Sequence, residues 1–214
     1  MVRLQDPTQF HALYQALSQV DQGFHRFFKA NHQRLQGLLH EDAQILVQGA
    51  YQGQELISLS ALNAKWRLVG LEPEPRFLRT AQSRVEALDL EDRMRLLNHN
   101  LHEYDETGFH AALCSLKLNF HKEEGNELQY LTQLFGKLEA GGWLLLSIVK
   151  PTQVNIDELS EQLGADRHLL EGIFRLVHAY SDDEMQHLFN QAGFREIHPC
   201  NQTPLMQSYL LRKE

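Results

Sequence analysis

Cysteine is scarce in this chain. It has two in 214 residues, Cys114 and Cys200, and they form no CxxC pair. That excludes a disulfide framework and a cysteine-built zinc site, and predicts two structural thiols in a reducing compartment. Long hydrophobic runs are missing as well, since no stretch approaches the roughly 20 apolar residues that span a bilayer. Residues 1–6 turn polar at once and lack the apolar core of a secretory signal. Together these absences predict a cytoplasmic protein with no membrane contact. Basic charge is also short, with 20 Lys and Arg against 28 Asp and Glu, a net charge of −8 and no basic cluster. Such a balance argues against a protein that grips nucleic acid through counterion release. Neither the G-x-x-x-x-G-K-[ST] loop of nucleoside triphosphate sites nor the G-x-S-x-G elbow of α/β-hydrolases occurs.

What is present reads as an ordinary globular chain, 43% apolar and 22% charged. Its length suits one domain able to bury most of its apolar surface. Apolar residues at helical spacing run from Phe10 to Leu39 and are interrupted at Gly23, predicting two helices or one bent one. Strands are expected at 45–47, 66–71, 94–97, 111–118, 143–149, 194–197 and 205–211. Helices are expected at about 53–62, from Pro75 to Leu88, at 128–138, and after Ser181, an N-cap followed by an acidic first turn. Residues 151–178 read as a mainly helical insertion. The alternation predicts a doubly wound, mostly parallel α/β fold. Its parts are a helical extension (1–42), a core (43–150), a helical lid (151–180) and a C-terminal helix with strands (181–214).

One stretch carries more chemistry than the rest: Ile45-Leu46-Val47-Gln48-Gly49-Ala50-Tyr51-Gln52-Gly53, followed nineteen residues later by Glu72 in Leu68-Val69-Gly70-Leu71-Glu72-Pro73. A strand, a glycine-bearing turn, a helix and a second strand closing on a carboxylate set the turn and the acid side by side. There a nucleoside can lie with its ribose hydroxyls on the acid. Two glycines in an ordinary strand-to-helix turn, and a solvated or helix-capping acid, are the alternatives.

This pattern resembles the cofactor site of class I S-adenosylmethionine (SAM)-dependent methyltransferases. The helix, Gly141-Gly142 and apolar strand that follow are similar to the same family, as is the Ser181-to-Phe194 segment with its Ala-Gly-Phe. The C-terminal tail distantly resembles the carboxy-SAM synthase branch. Where the family has an acid two residues before the first glycine, this chain has Val47, and where it has a middle glycine, Tyr51.

The resemblance implies a seven-stranded Rossmann-like sheet, its last strand antiparallel, with SAM as cofactor and a small-molecule acceptor. It places the cofactor on Gly49, Ala50, Tyr51, Gly53, Glu72 and Pro73. Asn100 and Leu101 would hold the adenine, and Ser115 and Leu116 would lie under the reacting sulfonium. His121 would stand over the transfer centre as a positioning or proton-accepting group. Tyr14 and His25, on the N-terminal helices, would face the acceptor. A turn role for Asn100, a surface role for His121 and a core role for the aromatic stripe remain open. The cluster His99, His102, Glu103, Asp105 and His110 matches no metal-ligand spacing. The insertion could pack on the N-terminal helices as a lid, or on a second copy as the arm of a homodimer.

Overall fold

The computed structural model describes residues 7–121, 125–152 and 154–214. Residues 1–6, including the expected polar start, lie outside the described residues. Seven strands form one sheet in the order β3-β2-β1-β4-β5-β7-β6. These are β1 (Gln44–Gln48), β2 (Arg67–Leu71), β3 (Met94–Leu97), β4 (Phe109–Ser115), β5 (Leu138–Val149), β6 (Glu196–Gln202) and β7 (Met206–Arg212). The first five run parallel, and β7 inserts antiparallel between β5 and β6. This is the Rossmann-like methyltransferase fold, as expected.

Among the described residues eight α-helices surround the sheet: α1 (Pro7–Val20), α2 (Phe24–Gln36), α3 (Gln54–Ser60), α4 (Pro75–Glu86), α5 (Glu127–Lys137), α6 (Ile156–Leu163), α7 (Arg167–Leu176) and α8 (Asp182–Ala192). Gly23 divides the N-terminal run into two helices. The central strands bury nearly every side chain, as parallel strands covered on both faces must. On one face β1, β2 and α3 close around Trp66, Ile45 and Leu56. On the other α5 and α8 pack on Leu146, Phe189 and Phe194.

A third cluster lies beyond the carboxyl ends of the strands. There α1 packs on α7, joining Leu13 and Leu17 to Leu170 and Ile173. The buried residues of α7 are therefore covered by α1 within the same chain, and α6 packs on α7. α1 and the insertion together roof the strand ends.

Several boundaries differ from the expectations, three of them most clearly. β4 stops at Ser115, because Leu116 turns into the left-handed region (φ 62°) and gives its N–H to Ser147. Gly141 and Gly142 sit inside β5 instead of preceding it. Gly141 (φ 81°) gives its N–H to Lys213, and β4–β5 pairing resumes at Ala111 and Trp143. β6 begins two residues later than expected and runs on to Gln202. Both cysteines are free, Cys114 buried in β4 and Cys200 half-buried in β6.

Candidate functional site

β1 delivers the chain into a turn with three alternate residues in the left-handed region: Gly49 (φ 75°), Tyr51 (φ 50°) and Gly53 (φ 84°). Gly49 and Ala50 both give their N–H to Leu71 at 2.9 Å, and Gly53 gives its own to Ala50 at 2.8 Å. The Arg84 guanidinium holds Gln52 from outside. Glycine takes this conformation freely, but a tyrosine pays roughly 1–2 kcal/mol for it. The backbone thus keeps a three-glycine geometry although the middle residue carries a ring.

Glu72 follows β2 directly and points back at this turn. Only 2% of it is exposed. One carboxylate oxygen accepts the Tyr51 N–H at 2.7 Å, the other the Glu74 N–H at 3.0 Å. A carboxylate has about four lone-pair sites, so two remain for hydroxyl donors. The helix-capping alternative is excluded, because Glu74 caps α4 by accepting the Arg76 N–H. Asn98 ties the corner down, donating to the carbonyls of Glu72 and Pro73 at 3.0 and 2.9 Å. Sequence reasoning passed over Asn98, whose only signal was an amide just past a strand end.

The space over the turn is taken by the chain's own side chains. The Tyr51 ring packs against Phe77 (4.6 Å between centroids), Phe10 and Tyr14 (5.4 Å each), and its hydroxyl hydrogen-bonds His11. Lys117 leans along Gly49 so closely that a Cβ there would stand 2.4 Å from Lys117 Cε. The lysine's Nζ lies 4.0 Å from the Phe10 ring centre. Burial lowers the Lys117 pKa, and the Glu72 charge pulls it back up. Burial pushes both the Tyr14 and Tyr51 hydroxyls up to about 12, so at neutral pH both are protonated donors. The backbone of the turn and Glu72 fit a nucleoside, whereas Tyr51 and Lys117 must move to admit one.

A second polar row lies under α2. Ser115 donates to Glu55 at 2.7 Å, and the same oxygen lies 3.4 Å from His32 Nε2, whose Nδ1 meets Ser58 at 2.9 Å. Beside it, Asn31 accepts from Ser208 and Asn201, both at 2.7 Å. These side chains tie α2 to the sheet and set the buried His32 imidazole against the half-buried Glu55 carboxylate beside Ser115. Asn31, His32 and Glu55 were missed. The available signal was two adjacent polar residues, Asn31 and His32, on the buried face of α2.

The remaining candidates are scattered. Asn100 caps the short 3-10 turn Leu101–Glu103, giving its N–H and its amide to Glu103, which is the turn role left open by its sequence. Leu101 is buried among core residues. His121 stacks on Tyr130 at 4.0 Å and bonds Asn126 at 2.8 Å. Tyr14 packs against the Tyr51 ring within the apolar cluster under α1. His25 does not, since it is exposed on α2 and touches the edge of Phe24. Among the described residues no group of three His, Cys, Asp or Glu could hold a metal. An open cleft of ≈ 420 Å³ lies elsewhere, between the start of α2, the end of α6 and the β6–β7 turn, with Asp21, Arg26, Gln162 and Thr203 on its walls.

No family model matches the sequence, and no curated protein matches it. Solved structures do. An O-methyltransferase family 2 protein from Planctomyces limnophilus in complex with apigenin matches at TM-score 0.68 and 16% identity, over 99% of this chain and 63% of that one. The mitomycin 7-O-methyltransferase MmcR matches at 0.64 and 14%, over 96% of this chain and 66% of that one. A SAM-dependent methyltransferase from Methanosarcina mazei matches at 0.65 and 14%, over 84% of this chain and 96% of that one. The chain thus spans just under two thirds of the length of the two O-methyltransferases. At these identities the likeness is one of fold: the chain has the architecture of the class I SAM-dependent methyltransferases.

Proposed function

We propose that this chain carries out SAM-dependent methyl transfer to a small-molecule acceptor. One observation carries the reading: the left-handed turn at Gly49, Tyr51 and Gly53 faces the Glu72 carboxylate at the carboxyl ends of β1 and β2. Open α/β sheets bind nucleosides at that place. Glu72 would take the ribose hydroxyls on its two remaining lone-pair sites, beside the backbone of Gly49, Ala50 and Tyr51. The cofactor supplies an electrophilic methyl group on a sulfonium that is already a good leaving group. The protein's part is then to position the acceptor, which can contribute on the order of 7–11 kcal/mol, so no catalytic dyad is required. Ser115, which donates to Glu55 while Glu55 in turn meets His32, stands at the end of β4 as a polar group for that role.

The side chains that fill the seat favour one other reading, a methyltransferase fold serving as a partner or regulatory protein without the cofactor. Calorimetric titration of the purified protein with SAM, S-adenosylhomocysteine (SAH) and NAD separates the two. Under our reading SAM or SAH at about 100 times its Kd adds about 2.7 kcal/mol of stability. For a chain of this size that raises Tm by roughly 5–10 °C. Binding of neither by a folded protein supports the partner role, and a response to NAD alone points to an oxidoreductase.

A further inference from the structure

We propose that Tyr51 and Lys117 form an internal plug that keeps the nucleoside seat shut, and that displacing them sets how tightly this chain takes its cofactor. The inference deepens the functional reading above and rests on it for the identity of the ligand. Three observations converge. Tyr51 occupies a left-handed position inside the turn, and its ring is buried among Phe10, Tyr14 and Phe77. That places an aromatic side chain over the same backbone that would meet the ligand.

Lys117 closes the other half. Its Cγ, Cδ and Cε all lie within 3.3 Å of where a Cβ on Gly49 would be, so the space left by the glycine is filled by the lysine stem. Its ammonium faces Phe10 and senses the charge of Glu72. The Glu72 carboxylate is occupied by N–H groups of Tyr51 and Glu74 and cut off from solvent. α1 locks the plug from above through Phe10 and the His11–Tyr51 hydrogen bond. A nucleoside must therefore break an aromatic cluster and move a cation before it reaches Glu72.

The plug also bears on which ligand enters. SAM carries a sulfonium beside its methionine moiety and SAH a neutral sulfur. An ammonium held against Gly49 repels the first more than the second. Tyr51 and Lys117 are thus affinity- and selectivity-determining residues of the site, and neither is assigned a chemical step.

The test is calorimetric titration with SAM and SAH of the full chain and three variants: Tyr51→Gly, Lys117→Met and the double variant. Tyr51→Gly restores an unstrained left-handed residue and removes the ring, and Lys117→Met keeps the stem volume while removing the charge. We expect the double variant to bind SAH about 100-fold (~2.7 kcal/mol) tighter than the wild type. Lys117→Met alone should move the SAM-to-SAH affinity ratio about tenfold towards SAM. Circular dichroism and urea titration establish that each variant is folded. If Tyr51→Gly fails to fold, Lys117→Met still reports through the ratio. Tight binding by the wild type, unchanged in the folded variants, overturns the plug and leaves the functional reading standing. Binding by the double variant alone supports the plug but ends the reading of the wild type as a SAM enzyme. No binding by any folded protein overturns both.

Discussion

Glu72 shows how a side chain can be both a ligand group and a structural one. Its two oxygens hold the N–H groups of Tyr51 and Glu74 while it is 2% exposed. In Glu72→Gln one oxygen becomes an NH2 that faces a backbone donor, so a buried hydrogen bond is lost together with the charge. We expect a loss of about 1–3 kcal/mol of folding stability in urea titration, even without ligand. An unchanged midpoint would show that the two backbone contacts contribute nothing. Much at this scale was legible. The Gly49/Gly53 turn and the acid after β2 are a spacing, and spacing survives in a sequence. Lys117 was not legible as a partner of Gly49. The two lie 68 positions apart and meet only because β1 and β4 pair side by side.

At the scale of single elements the start of α8 was legible at Ser181 because its signal is local. Ser181 caps α8 and Glu184 completes the capping box, accepting the Ser181 N–H and hydroxyl. These bonds, led by the backbone one, hold the Glu184 carboxyl down to about 2 against an ordinary 4.5. A depressed carboxyl stabilises the fold fully above its unfolded pKa and loses that contribution as pH falls from about 4.5 towards 2. Ser181→Ala should cost about 0.5–2 kcal/mol at neutral pH. The wild-type advantage should shrink across that acid window in urea titrations at successive pH values. An equal deficit at pH 7 and pH 2.5 would contradict the coupling.

The pairing of α1 with α7 belongs to the same scale but was left open by the sequence, which shows two amphipathic faces without saying which meets which. A helix of 14 residues is marginal on its own, so α1 owes its order to that face. Ile173→Ala, at a fully buried contact, should cost about 2–5 kcal/mol. It should also speed amide exchange in α1 as well as α7. Faster exchange confined to α7 would mean that the roof is not one unit.

For the whole molecule, strand order decides where chemistry can happen. The chain winds outward from β1 through β2 to β3 on one side and from β4 to β5 on the other, so the order reverses beside β1 and opens a crevice at its carboxyl end. The described helices include none long and apolar enough to cross a membrane. All seven described strands join one sheet, and we propose that the described chain unfolds as a single domain. Trp66, fully buried against the β1–β2 half, and Trp143 on β5 report from its two halves. Tryptophan fluorescence and far-ultraviolet circular dichroism should give coincident urea transitions. Separated midpoints would reveal a roof or a sheet half that melts by itself.

The sequence by itself determined the strand–helix alternation, the doubly wound class, the Ser181 cap and the glycine turn with its acid. Each depends on residues within about one element of each other, where periodicity, φ preference and capping chemistry act. Only the tertiary structure decided that the seat above the turn is filled. That filling comes from Tyr51, Lys117, Phe10 and His11, drawn from α1, the turn after β1 and the turn after β4. No local preference brings those side chains together. Sheet register and the packing of α1 on α7 do, and both are set by burial summed over the chain.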